Sequence, residues 1–257
     1  MRDSTSPAVP ARRRHSALRF GLWAICLIGL SAAFLALGAW QVARLHWKEA
    51  LIARVEARVH ATPRPAPGID EWQRANPEDY EYARVQATGT FLNDKETRVY
   101  AVTDLGPGYW VLTPLKADDG TVAIVNRGFV PTDHRDPATR TAGEIPGRTT
   151  VTGLLRLSEP KGTMLRSNKP GEERWYSRDV EAIAAARGLQ NAFPYFIDAD
   201  ATPNPGDMPV GGLTQLVFPN NHLVYAITWF ALAALGLGLT GYLFYSERRS
   251  DRREDED

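Results

Sequence analysis

Two runs of 23 residues, Phe20 to Val42 and Leu223 to Tyr245, contain no Asp, Glu, Lys or Arg. As a helix each run reaches roughly 35 Å, enough to cross a hydrocarbon core about 30 Å thick. A chain with such a run near each end is tightly constrained. It is predicted to be a membrane protein in which two transmembrane helices flank an independently folded middle. The flanks orient it. Arg12, Arg13, Arg14 and Arg19 border the first run, and Arg248, Arg249, Arg252 and Arg253 follow the second. A cationic excess at both outer flanks predicts cytoplasmic termini and an extracytoplasmic central domain. The first run is too long for a signal-peptide core and continues into a good helix instead of a cleavage site.

The pattern between the runs changes period twice. Trp47, Leu51, Val55 and Val59 recur every four residues among charged neighbours, so the first helix is expected to extend to about residue 62, before Pro63, Pro65 and Pro67. Residues 1–15, rich in Ser, Pro, Ala and Arg, are expected to be disordered. A β-rich domain is expected over 63–219. Its candidate strands are Tyr82 to Phe91, Thr97 to Thr103, Tyr109 to Leu115, Thr121 to Asn126, Val151 to Leu157 and Phe193 to Asp198. One helix is expected over Arg178 to Arg187, started by Asp179 and ended by Gly188. Residues 131–149 read as a loop and Ala201 to Gly212 as a linker. The fold class is thus two transmembrane helices around a mainly-β (α+β) domain, a small sheet or partly closed barrel. The second span covers 223–245, and 246–257 form a charged tail. Gly29 with Ala33, and Ala234 with Gly238, offer small-residue faces for packing the spans together.

Chemistry is sparse. Basic and acidic residues number 30 each, which gives no basic excess for nucleic acid. The single cysteine, Cys26, lies in the first apolar run, so no intrachain disulfide and no cysteine-only metal site is expected. Ser158, Ser167 and Ser177 lack a nucleophile-elbow context. No HExxH motif occurs, and Gly106-Pro107-Gly108 lacks the Lys and helix of a phosphate loop. His134 reads as a solvated loop residue and His46 as an interfacial anchor. No enzyme activity is expected.

His222 differs by its place at the mouth of the second span, after Asn220 and Asn221. On a helix, Tyr225, Ala226 and Trp229 share its face. Two readings fit these residues. In one, His222 is an interfacial polar residue with Tyr225 and Trp229 as belt aromatics. In the other, it is an axial ligand to haem iron, the metal being reached through the haem, with Tyr225 and Trp229 beside the ring.

Pieces spread along the chain carry a resemblance. They are Leu37-Gly38, Trp40-Gln41, Arg44 and Trp47-Lys48; Gly108-Tyr109 with Thr113-Pro114; Asn126-Arg127-Gly128-Phe129-Val130-Pro131; Arg166, Asn168, Pro170, Trp175 and Asp179; Pro194 to Asp198; and Pro219-Asn220-Asn221-His222-Leu223 with Tyr225 and Thr228-Trp229. In this order, between two spans, they resemble the Surfeit-locus family of cytochrome c oxidase assembly factors. Phe129 and Val224 depart from the residues many members carry there, without removing a charge or a ligand. The resemblance implies a factor that receives haem a and helps insert it into the oxidase catalytic subunit, with His222 touching the haem. It implies the catalytic subunit, the haem a synthesis machinery and membrane lipid as partners. The implied location is a mitochondrial inner or bacterial plasma membrane. The short segment before the first span favours the multi-pass bacterial case. A structural chaperone that holds an oxidase subunit and binds no haem is the alternative, and a membrane enzyme working through the β domain is a third reading.

Overall fold

A computed structural model describes residues 11–163, 165–216 and 218–254. The chain divides into two units, one holding the long helices up to Ile52 and from Phe218 onward, the other running from Ala53 to Val217.

The β unit contains seven strands: β1 (Arg64–Pro65), β2 (Arg84–Phe91), β3 (Thr97–Thr103), β4 (Gly106–Lys116), β5 (Val122–Pro131), β6 (Arg148–Leu157) and β7 (Ala192–Ala199). Five of them close a barrel in the order β2, β6, β7, β5, β4. The ring is completed where Thr90 and Phe91 of β2 pair with Lys116 and Leu115 of β4. Only β5 and β7 run parallel within the ring. The strands β1 and β3 lie outside it, on β2 and β4. Closure removes the exposed sheet edges that an open sheet of this size would leave.

Alternation along the strands separates two cores. Val85, Val125, Leu155, Tyr195 and Ile197 belong to one buried cluster inside the ring. Ile124 and Phe196, one residue out of phase, join Leu112, Trp175, Val180 and Ile183 in a second cluster on the outer side. There the helix α3 (Val180–Ala186) covers β7. Asp179 caps α3, its Oδ1 accepting from the Ala182 amide at 3.1 Å, and Gly188 follows at φ +61°. β5 is buried on both faces from Val122 to Val130, which accounts for its apolar run from Val122 to Val125 and places Asn126 and Arg127 in the interior.

Several differences from expectation have local causes. β5 runs on past Asn126 because Gly128, at φ +131°, lets the strand continue where a Cβ would strike the Val210 carbonyl. Val210 in turn exchanges two backbone hydrogen bonds of 2.9 Å with Phe129, so residues 201–212 are tied to the barrel and are not a free linker. The loop over 131–149 holds two 3₁₀ segments, Thr132–His134 and Pro137–Gly143, anchored by the buried Arg140–Glu96 ion pair. A short helix, α2 (Ile69–Arg74), sets Trp72 against Tyr195 with ring centroids 4.8 Å apart. Six residues are too few for a helical period to show in sequence.

The first long helix, α1 (Ala11–Val59), starts inside the stretch expected to be disordered, and residues 1–10 lie outside the described residues. It stops three residues short of the expected end. Within the β unit its last turn is fixed by Arg58, which donates to the Glu78 and Glu81 carbonyls at 2.9 and 3.2 Å. The last helix, α4 (His222–Glu254), continues past Tyr245 into the charged tail.

In the helical unit α1 and α4 are antiparallel. Phe20 meets Phe244 edge-on at 5.3 Å between centroids, and Phe34 stacks on Trp229 at 5.6 Å. The facing positions follow a heptad. Ala24, Ser31 and Gly38 recur on α1, with Phe34 after Ser31 and Gln41 after Gly38; Ala226, Ala233 and Thr240 recur on α4, with His222, Trp229 and Gly236 before each in turn. A Cβ on Gly38 would meet the Phe230 ring and one on Gly236 the Ser31 hydroxyl, so these are the small residues of the contact. The faces expected at Gly29 and Gly238 are wrong: a Cβ on either meets nothing, and Ala33 and Ala234 are exposed. They lie off the heptad stripe and point outward. Leu22, Ile25, Ile227 and Leu235 are each 60% exposed or more. Both helices are long and apolar enough to cross a membrane, and this apolar exterior fits lipid as its solvent.

Candidate functional site

α4 begins at His222, its first turn closed by the Tyr225 amide on the Asn221 carbonyl at 3.2 Å. The ring of His222 is held from the opposite helix. Its Nδ1 lies 2.8 Å from Oε1 of Gln41, which is 9% exposed. An amide oxygen has no proton to give, so the imidazole donates and Nδ1 carries the hydrogen. Nε2 of the neutral ring then keeps its lone pair, the form in which an imidazole binds a metal. Two helical turns on, Trp229 is half-buried on the same seam, stacked on Phe34. Tyr225, expected on that face, is 53% exposed and lies to its outer side, whereas Ala226 is buried. The structure therefore pairs His222 with Gln41 and, two turns further along the same seam, Trp229 with Phe34, and it leaves Tyr225 outside the contact. Asn220 contributes a buried Oδ1 without a hydrogen-bond partner.

The other concentration of polar groups lies on the outer side of the barrel, at a cavity of about 260 Å³ lined in part by Trp110, Asn126, Arg156, Arg178, Asp198 and Thr214. Asp198 is its centre. The carboxylate accepts from Asn126 Nδ2 at 2.7 Å, Thr214 Oγ1 at 3.1 Å, and Arg156 and Arg178 Nη1 at 3.2 Å each. Arg178 also grips Glu159 through two nitrogens. Burial pushes the Glu159 carboxyl up, but the Arg178 hydrogen bonds and charge outweigh it and hold Glu159 below the usual range. The same partners raise Arg178 against the opposing effect of its own burial. These charges are paired with one another, Arg156 and Arg178 on Asp198 and Arg178 on Glu159.

Further along β5, Arg127 is 3% exposed and has no carboxylate in contact. Its Nη2 donates to the Gly143 carbonyl and to Asn204 Oδ1 at 2.8 Å, and its guanidinium lies 4.8 Å from the Phe91 ring centroid. Burial lowers its pKa to about 10. It ties the two long loops to the barrel.

Two of the three serines considered from sequence, Ser158 and Ser177, serve the backbone. Ser158 Oγ accepts from the Val180 amide, and Ser177 Oγ from the Gly162 amide. Asn168 Oδ1 accepts from the Tyr176 and Ser177 amides. His134 is half-buried with its Nδ1 unpartnered, and its carbonyl accepts from Arg140, so it is less solvated than expected. His46 is exposed beside Glu49. Among the described residues no group of three or more His, Cys, Asp or Glu could hold a metal.

Residues 28–234 match the model of the SURF1 family. The chain belongs to the SURF1 family. It is similar to a SURF1-like protein of Monosiga brevicollis, 36% identical with 93% of each chain covered. It is likewise similar to Surfeit locus protein 1 of Homo sapiens, 35% identical over 88% of this chain and 76% of the human one, and to that of Mus musculus, 35% identical over 95% and 80%. Most motif residues behind the sequence resemblance have structural duties here: Asn126 and Asp198 in the ionic network, Trp175 in the outer core, Asp179 as a cap. His222 and Gln41 differ, because they join in a pair with a ring nitrogen lone pair to spare. Sequence reading had Gln41 only as part of a motif, since 181 positions separate it from His222.

Proposed function

We propose that the protein is an assembly factor for haem–copper cytochrome c oxidase that binds haem a through His222 and assists its insertion into the catalytic subunit. Membership of the SURF1 family supports the assembly role. The observation that carries the haem reading is the Gln41 contact, which leaves Nε2 of His222 with its lone pair. Haem a supplies an apolar macrocycle whose iron takes an axial imidazole nitrogen. The residues present fit such a group: an imidazole whose Nδ1 faces an amide oxygen, with exposed Tyr225 one turn on and half-buried Trp229 two turns on, at the end of an apolar helix pair. His222 would hold the iron and Trp229 would border the ring. The aligned arginines at both outer flanks favour cytoplasmic termini and an extracytoplasmic barrel, in a bacterial plasma membrane. The catalytic subunit and the haem a synthesis machinery are the proposed partners.

A chaperone that holds an oxidase subunit and binds no haem is the second reading. It is favoured by how many family residues serve the barrel's own fold. Cells lacking the protein, complemented with wild type or His222→Gln, separate the two. The haem reading expects His222→Gln to accumulate normally yet leave the oxidase with little haem a. Full oxidase haem content with His222→Gln, and oxidase subunits co-purifying with colourless protein, would establish the chaperone reading instead.

A further inference from the structure

We infer that Gln41 is a positioning residue for His222: its amide oxygen selects the Nδ1–H tautomer and thereby reserves Nε2 for a ligand. The inference rests on the ligand reading of His222 given above and adds the group that prepares it.

A neutral histidine in water prefers its proton on Nε2, which leaves Nδ1, the nitrogen crowded by the side chain's own backbone, as the free one. Here the preference is reversed. The contact of 2.8 Å places an acceptor with no proton against Nδ1. Gln41 cannot easily swing away, for it is 9% exposed within the heptad contact of α1 and α4. One turn from this pair on either helix stand Gly38 and Ala226, both buried, which bring the backbones close enough for a glutamine to reach an imidazole. A metal-bound histidine commonly donates its second N–H to a carbonyl or carboxylate, which fixes the ring and raises its basicity. Gln41 is placed to do this before any ligand arrives. A simple helix-to-helix latch would need a hydrogen bond of either polarity. An amide oxygen facing Nδ1 gives the polarity that serves Nε2.

Two variants separate these roles. Gln41→Leu keeps the bulk and removes the acceptor; Gln41→Glu keeps an acceptor and strengthens it. The first measurement needs no haem. Histidine-¹⁵N NMR of the full chain in nanodiscs at about pH 8, where an ordinary imidazole is neutral, reads the tautomer directly. The His222 resonance is assigned by its loss in His222→Gln. Wild type and Gln41→Glu are expected to show Nδ1–H, and Gln41→Leu a majority of Nε2–H. The second measurement is the reduction potential of haem a bound to each form, expected to fall in Gln41→Glu and rise in Gln41→Leu. An Nε2–H tautomer in wild type, or an unchanged tautomer in Gln41→Leu, would overturn the inference. So would haem bound through His222 with one potential in all three proteins. A tautomer that shifts as expected in a protein that takes up no haem would fault the ligand reading of His222 and uphold the tautomer assignment to Gln41.

Discussion

In the barrel unit, Asp198 is 3% exposed and receives hydrogen bonds from four side chains, two of them arginines that bring compensating charge. In the helix pair, His222 is held by a single neutral amide through Nδ1, and no hydrogen bond is recorded for its Nε2 among the described residues. The first arrangement is nearly closed: its carboxylates and guanidiniums are paired with one another, and of their buried atoms only Arg156 Nε lacks a hydrogen bond among the described residues. The second is left open on one side. Burying charge is costly unless the partners are complete, so the barrel's network is best understood as part of its fold. His222 is only half-buried at the start of α4, where a ring nitrogen can face solvent at little cost, and what remains unspent there is available to a ligand. On the proposed reading the ligand site follows from which polar group is left unspent, and it is not the barrel cavity around Asp198.

That contrast can be broken most severely at Asp198. Asp198→Ala leaves Arg156 and Arg178 buried with their shared counter-charge gone, a change that typically costs about 3–5 kcal/mol. Chemical denaturation of the full chain in detergent should show the barrel losing much of its stability, since domains hold only about 5–15 kcal/mol. An unchanged midpoint would mean that the network is dispensable.

The helix pair should respond to size and to nothing else at its glycines. Gly236→Leu must push against Ser31, and overpacking of this kind costs about 1–3 kcal/mol. Gly238→Leu adds bulk where a Cβ meets nothing and should be silent. Disulfide formation between cysteines replacing Phe20 and Phe244, whose rings lie 5.3 Å apart, reports on the pairing. It should drop for Gly236→Leu alone, and equal losses for both would refute the heptad contact.

Inside the barrel a smaller effect is expected at Tyr195. Its hydroxyl donates to the Pro67 carbonyl at 2.6 Å, and burial raises its pKa. Tyr195→Phe leaves that carbonyl unpaired and should cost about 1 kcal/mol, read as a modest fall in the denaturation midpoint. The pH response should be smaller still. Glu159 and Glu173 are both held below the ordinary carboxyl range in the folded protein, Glu173 chiefly by its Arg187 hydrogen bonds. Their contribution is present above the unfolded pKa near 4.3 and is lost as pH falls through the lower folded value. Glu159→Gln should therefore flatten the stability curve on the acid side and leave its neutral plateau with a similar shape.

Much of this was legible in the chain and some was not. The spans showed because lipid demands an uninterrupted apolar run. The strands showed because pleating writes a period of two, and β3 over Thr97–Thr103 matches the sequence expectation at both ends. The two-residue strand β1 and the single-turn-and-a-half of α2 are too short to carry a period. The docking of residues 201–212 on Phe129 depends on backbone hydrogen bonds, which leave no mark in side-chain pattern. At the site, His222 could be singled out by its place at the mouth of a span. Tyr225 and Trp229 looked equivalent because both fall within a turn or two on roughly one face. The partner helix distinguishes them, since the heptad contact takes Trp229 and excludes Tyr225. Gln41 could be found only by knowing which faces meet, and small residues at Gly29 and Gly238 suggested the wrong ones.

The central claim is that the helix pair, through His222, holds the haem. Titration of haem a into the purified full chain, followed by the Soret band, tests it most directly when wild type, His222→Gln and Asp198→Ala are compared per folded molecule. The account predicts a saturable band in wild type, its near-complete loss in His222→Gln, which keeps size and polarity but offers iron a poor ligand, and its retention in the folded fraction of Asp198→Ala. An equal band in His222→Gln, or one that vanishes with Asp198 in protein that remains folded, would contradict it and move the site to the barrel.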